Sequence, residues 1–60
     1  MTYAYTCVIH RPSAVPSSVA VACADVERAM VHAERLAAEI EDWGRIEVFL
    51  GHRIVAVRER

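Results

Sequence analysis

Residues 25–44 read DVERAMVHAERLAAEIEDWG, and this stretch decides the fold. Apolar residues recur along it every three or four positions. They are Val26, Ala29, Ala33, Leu36, Ile40 and Trp43, and Met30 and Ala37 widen the stripe. At about 100° per residue these side chains share one side of a helix, and charged residues occupy the other side. The spacing therefore predicts an amphipathic helix that covers an apolar surface.

Both ends of this helix have recognisable signals. Asp25 is a suitable N-cap because its carboxylate can accept from the free N–H groups of the first turn. Gly44 fits the position just after the helix, where a residue without a side chain can turn left-handed. The sequence therefore predicts a helix that begins after Asp25 and runs to Gly44.

Two segments before the helix have the composition of strands. Residues 2–10 place Tyr3, Tyr5, Cys7 and Ile9 on one side and Ala4, Thr6 and Val8 on the other. Aromatic and β-branched residues at period two predict a strand. Residues 11–18 hold two prolines and three serines, which predicts a loop. Residues 19–24, VAVACA, predict a second short strand, with a backward extension of the helix as the alternative.

The segment after the helix is typical of a β-hairpin. Residues 45–50 and 53–58 flank Gly51-His52, and glycine at the first central position suits a two-residue type II′ turn. That register pairs Leu50 with Arg53, Val48 with Val55 and Ile46 with Val57 on the side that receives the helix. It places Phe49 opposite Ile54, Glu47 opposite Ala56 and Arg45 opposite Arg58 on the other side.

These elements predict an α+β fold over residues 1–60, as one small domain. One amphipathic helix packs on an antiparallel sheet in the order β-β-α-β-β. If residues 19–24 are not a strand, the order shortens to β-α-β-β.

The length and composition of the chain indicate what stabilises it and where it comes from. A chain of 60 residues buries only about 60% of its unfolded surface, so a partner chain, a disulfide or a metal commonly adds stability. The apolar fraction of 55% favours the partner chain. Lysine, asparagine and glutamine are absent, a bias typical of a GC-rich bacterial genome.

The expected compartment is the cytoplasm. The first ten residues lack a basic segment followed by an apolar one, so we do not expect a signal peptide, and no apolar run approaches the roughly 20 residues that span a bilayer. In the cytoplasm Cys7 and Cys23 are expected to be reduced thiols.

The side of the sheet away from the helix predicts an interaction surface. A sheet with a single helix has one covered face, and only that face needs to be apolar. Phe49, Ile54 and Ala56, joined by Tyr3 and Tyr5, would form a contiguous exposed apolar patch, which usually marks an interface. The alternative is that the N-terminal segment or the long loop folds over it. An unpaired edge strand offers a second route, by extending the sheet across a two-fold axis. We therefore expect a homodimer or a larger homo-oligomer.

Catalytic, metal and redox chemistry have little support. Cys7 and His10 are three residues apart on a strand, so they point to opposite faces, and no C-x-x-C pair occurs. A Cys7–Cys23 disulfide is sterically conceivable if the first two strands form a hairpin centred near Val15. No serine or cysteine lies in a nucleophile motif. We expect no catalytic residue, no cofactor and no metal.

Nucleic-acid binding is the alternative function. Arg45, Arg53, Arg58 and Arg60, with Arg11, could gather along the hairpin and its ends, and the tyrosines could stack on bases. The net charge of −1 and the interleaved Glu47 and Glu59 oppose this interpretation.

The layout resembles small uncharacterised bacterial domains that place one helix on a short antiparallel sheet. Residues 27–38, 45–48 and 53–57 carry this resemblance, about half of the chain. Such families have no established activity, so the resemblance implies a fold but no reaction. Antitoxin-like domains share the strand–strand–helix start, although this chain lacks a Pro-Gly-Cys type turn before the helix. We therefore expect a small cytoplasmic, self-associating interaction domain, with an antitoxin-like regulatory module as the alternative.

Overall fold

The computed structural model describes every residue from Met1 to Arg60. Four strands and one helix follow in the order β1 (Tyr3–Arg11), β2 (Ala14–Cys23), α1 (Val26–Ala37), β3 (Arg45–Leu50) and β4 (Arg53–Glu59). The strands form one antiparallel sheet in the order β2-β1-β3-β4. This confirms the predicted α+β fold of order β-β-α-β-β, and the shorter order is wrong.

The first hairpin is longer than the sequence predicts. Residues 14–18 were predicted as part of a loop, but they form the first half of β2, and the turn is limited to Pro12 and Ser13. Pro16 is tolerated because β2 is an edge strand, where a missing N–H need not interrupt the sheet. The register shifts between Ile9 and Arg11, so that Val15 and Pro16 together lie opposite His10. Cys23 pairs with Tyr3 and Cys7 with Val19, so the two cysteines are not cross-strand partners.

The helix begins as predicted but ends early. A side-chain oxygen of Asp25 accepts from the backbone N–H of Arg28 at 2.9 Å, which confirms the N-cap. The helix stops at Ala37, and i to i−3 hydrogen bonds at Glu39 and Ile40 tighten its end. A helix of 12 residues is about 18 Å long, similar to a six-residue strand. The next residues must therefore descend from the helix layer to the start of β3.

Gly44 does not cap the helix, contrary to prediction. Its φ is not positive, and its backbone joins the sheet instead. The N–H of Gly44 donates to the carbonyl of His10 at 2.9 Å, and its carbonyl accepts from Arg60 at 3.0 Å. Ile40 and Trp43, predicted on the helical stripe, still pack against the core from the connecting segment.

The second hairpin has the predicted turn and a different register beyond it. Gly51 has a φ of +66° and no other residue has a positive φ, as a type II′ turn requires. Leu50–Arg53 and Phe49–Ile54 pair as predicted. A β-bulge at Val55 then shifts the pairing to Val48–Ala56, Glu47–Val57, Ile46–Arg58 and Arg45–Glu59. The shift replaces the predicted Arg45–Arg58 pair with the oppositely charged pair Arg45–Glu59.

The core lies between the helix and one face of the sheet, hereafter the helix face. Ten residues are buried: Tyr5, Cys7, Ile9, Cys23, Ala29, Met30, Ala33, Ala37, Ile46 and Val48. The helix contributes mainly alanines, which allows its backbone to approach the sheet closely. Leu36, predicted within the buried stripe, remains partly exposed.

Candidate interaction surfaces

The opposite face of the sheet, hereafter the open face, is not covered by any element. The strand register aligns its side chains in rows across the four strands. One row is Ala20, Thr6, Phe49 and Ile54, and the next is Ser18, Val8, Glu47 and Val57. Ala4 and Ala22 extend the apolar area toward the Gly51 turn. The open face is therefore apolar in its centre, with small residues on β1 and β2 and bulky ones on β3 and β4.

The structure divides the predicted interface residues between the two faces. Phe49 and Ile54 lie on the open face, as expected. Tyr5 is buried on the helix face, and Tyr3 shares that face and meets Tyr5 edge-on at 6.3 Å between ring centroids. Ala56 also turns toward the helix because of the bulge at Val55. The placement of Tyr3, Tyr5 and Ala56 in the open patch is therefore wrong. Period two alone could not say which side of β1 receives the helix.

A polar network closes one end of the open face. The Nε2 nitrogen of His10 donates to the carboxylate of Glu47. Arg45 bridges Glu47 at 3.2 Å and Glu59 at 3.1 Å. The hydrogen bond from His10, aided by the charges of His10 and Arg45, holds the pKa of Glu47 below its ordinary value. Because these charges neutralise one another, this end of the face does not carry a strong field of one sign.

The arginines of the second hairpin do not gather on one surface. Arg45 lies on the open face, while Arg53 and Arg58 share the register of the helix face. Arg58 pairs with Glu34 of the helix at 3.0 Å. Arg60 lies over the Trp43 ring at 5.5 Å and donates to the Glu41 carbonyl. This arrangement gives little support to a nucleic-acid surface, since these arginines lie on different faces and Arg45 and Arg58 are already paired with carboxylates.

The two edges of the sheet differ. The β4 edge carries Arg53, Arg58 and Glu59 and is interrupted by the bulge at Val55. The β2 edge is ten residues long and contains no charged residue. Its protective features, Pro16 and the register shift at Val15 and Pro16, are confined to its first half. The sequence indicates this edge by the absence of charged residues between Arg11 and Asp25. The predicted loop over residues 11–18 covers the first half of the strand, so the length of the edge was not predicted.

An apolar groove runs beside β2 on the helix face. It has a volume of about 310 Å³, and we name it the β2 groove. Its apolar lining comes from Ile9, Val19, Leu36 and Ile40, and its polar lining from Ser17, Ser18 and Glu39. Val19 and Leu36 are each 37% exposed. The β2 groove and the β2 edge therefore form one continuous surface.

A second groove, of about 370 Å³, lies between the helix and β4. Val26, Met30, Val31, Ala56 and Val57 supply its apolar lining. Glu27, Glu34 and Arg58 border it, and the Arg58–Glu34 ion pair spans the gap between strand and helix. It contains no nucleophile and no histidine.

The thiols are buried and unpaired. Cys7 and Cys23 are both free. Burial, with a smaller contribution from Cys23, raises the pKa of the Cys7 thiol, which opposes formation of the nucleophilic thiolate. No group of three or more histidine, cysteine or acidic side chains is positioned to hold a metal ion. His32 and His52 are exposed.

Comparison of the chain with protein-family models, with curated proteins and with solved structures found no match. The only helix, α1, is too short and too polar to cross a bilayer.

Proposed function

We propose that this chain is a small self-associating interaction domain that packs its open face against the open face of a second copy. The supporting observation is the uncovered row Ala20, Thr6, Phe49 and Ile54 at the centre of that face, which is apolar except for the Thr6 hydroxyl. Ile54 is 46% exposed. A contiguous apolar patch of this kind on a small chain usually marks an interface.

The shape of the open face suits a second copy. A two-fold axis parallel to the strands would lay β4 of one chain over β2 of the other. Ile54 would then pack on Ala20, and Phe49 on Thr6, of the second chain. Aligned sheet packing of this type is common and brings the two inner faces about 10 Å apart.

The charges of the face are compatible with this arrangement. His10, Arg45, Glu47 and Glu59 are bonded to one another within each chain, so the polar end contributes little repulsion between copies. The attraction between the two copies would come from the apolar centre of the face, at about 25 cal/mol per Å² of apolar area buried.

The test is sedimentation equilibrium over a wide concentration range, with thermal melts at the same concentrations. We expect the wild type to be a dimer or larger at micromolar concentration, with a melting temperature that rises with concentration. Ile54→Glu should shift the chain to a smaller species.

Val31→Glu is the matched control. Val31 is also 46% exposed, but it lies on the helix, away from the open face. This variant should sediment as the wild type does. A wild type that stays monomeric at every concentration would overturn the proposal, and so would an Ile54→Glu variant that associates as strongly as Val31→Glu.

A further inference from the structure

We propose that β2 also pairs, edge to edge and antiparallel, with β2 of a second copy, which joins two sheets into one of eight strands. This inference rests on the proposed self-association but uses a different surface. It concerns the backbone edge of β2 and the β2 groove, whereas the proposed function concerns the open face.

The two edges of the sheet differ in how they are protected against pairing with another strand. Unpaired N–H and C=O groups on an edge strand are a template for another strand, and proteins usually protect them with charges, prolines or bulges. The β4 edge has charges and a bulge. The β2 edge has Pro16 and the register shift beside it near its start, but no charge over ten residues, about 33 Å of strand. The segment from Ser17 to Cys23 has no protective feature.

The composition of β2 favours a second copy of this chain as the occupant of the edge. A two-fold antiparallel pair places the strand against itself, so any charge within it would meet a like charge nearby. Residues 14–23 have none. A β2 segment is thus compatible with itself, while the charged β4 edge is less suited to accept it.

The packing beside the edge also suits a second copy. If the paired segment is residues 17–23, its centre is Ala20, and Val19 lies opposite Val21 of the second copy. Both valines are on the helix face, because they pair with Cys7 and Tyr5 of β1. The incoming Val21 would extend the apolar lining of the β2 groove toward Leu36. Cross-strand pairs of β-branched residues add to the stability of a sheet.

The decisive measurement is amide hydrogen exchange, read residue by residue by NMR on the associated wild type. In a free edge strand only every second N–H is bonded to the neighbouring strand, so protection alternates. Edge pairing predicts consecutive protection of residues 17–23. Packing through the open face alone leaves the alternation in place, and that pattern would overturn the inference.

Charge placed on the edge gives a second test. Val19→Lys introduces the kind of residue that blocks edge pairing in natural sheets, and we expect its self-association constant to fall at least tenfold. Val31→Lys is the control, since Val31 lines the groove beside β4 and is remote from β2. Equal association by the two variants would count against the inference.

The outcomes separate the two proposals. Reduced association by Ile54→Glu with no effect of Val19→Lys supports the open face alone. The reverse result supports the edge alone, and effects of both variants support an assembly larger than a dimer. If Val19→Lys does not fold, the hydrogen-exchange pattern of the wild type still shows whether β2 is paired at its edge.

Discussion

The thiol of Cys7, at the centre of β1, donates a hydrogen bond to the backbone carbonyl of Ala29 at 3.7 Å. This contact joins the sheet directly to the helix backbone. It is made possible by alanine at positions 29, 33 and 37, each fully inaccessible to solvent. The close approach of helix and sheet is therefore the main packing feature of the fold.

The alanine contact leaves no room for a larger side chain. We expect Ala33→Leu to lower the free energy of unfolding by about 1–3 kcal/mol, because overpacking forces side chains from their preferred rotamers or moves the helix. For a domain of this size, that corresponds to a melting temperature lower by roughly 4–8 °C per kcal/mol. Ala38→Leu is the control, because Ala38 is exposed at the end of the helix. Similar melting temperatures for the two variants would contradict this account.

The same contact predicts slow thiol chemistry. Cys7 is fully buried, its thiol is engaged with the carbonyl of Ala29, and burial raises its pKa. Cys23 is also buried. We expect both thiols to react with a thiol reagent such as DTNB far more slowly in the folded chain than in denaturant. Rapid modification of the folded protein at neutral pH would show that the core opens readily.

The main elements could be predicted from the sequence because their periodicity is local. The residues from Val26 to Ala37 repeat at helical spacing, and Gly51 marks a turn that only a few residues suit. The end of the helix could not be predicted, because the apolar spacing continues through Ile40 and Trp43. These two side chains do reach the core, but from a connecting segment whose path depends on the position of β3.

Sequence patterns could not predict which side chains lie on the open face. The bulge at Val55 turns Ala56 toward the helix, and its benefit appears only when Arg45 meets Glu59 and Arg58 meets Glu34. These are contacts between residues far apart in the chain or across a hairpin. The side of β1 that is buried, with Tyr5, could likewise be known only once the helix was in place.

The Glu47 network predicts an acid-sensitive contribution to stability. Because the pKa of Glu47 is lower in the folded chain than its ordinary value, folding favours the carboxylate. The stabilisation is present above the unfolded pKa, about 4.3, and is lost as the pH falls through the lower folded pKa. We expect Glu47→Gln to melt at a lower temperature than the wild type at pH 7, with the difference shrinking as the pH falls below about 4. Thermal melts from pH 2 to pH 7 provide the measurement.

Glu39→Gln is the control for this titration. Glu39 is exposed and is not among the residues that form ion pairs. Its replacement should change the melting temperature little at any pH. A Glu47→Gln difference that persists unchanged at pH 2 would mean that the side chain acts through packing and not through its charge.

The two glycines provide a matched test of backbone conformation. A Cβ atom added at Gly44 or at Gly51 would meet no atom within 4 Å, so any difference between the variants comes from the backbone. Gly51 has a φ of +66°, and an L-residue in the left-handed region costs roughly 1–2 kcal/mol. We therefore expect Gly51→Ala to lower the free energy of unfolding by about that amount.

Gly44→Ala should have the opposite effect. Its φ is not positive, so alanine fits the native backbone and restricts the unfolded chain, which stabilises a protein by about 0.4–1 kcal/mol. Chemical denaturation of both variants measures the two values on one scale. A Gly51→Ala variant as stable as Gly44→Ala would mean that the Gly51 turn does not require a left-handed residue. The second hairpin would then owe its register to the bulge at Val55 and not to the turn.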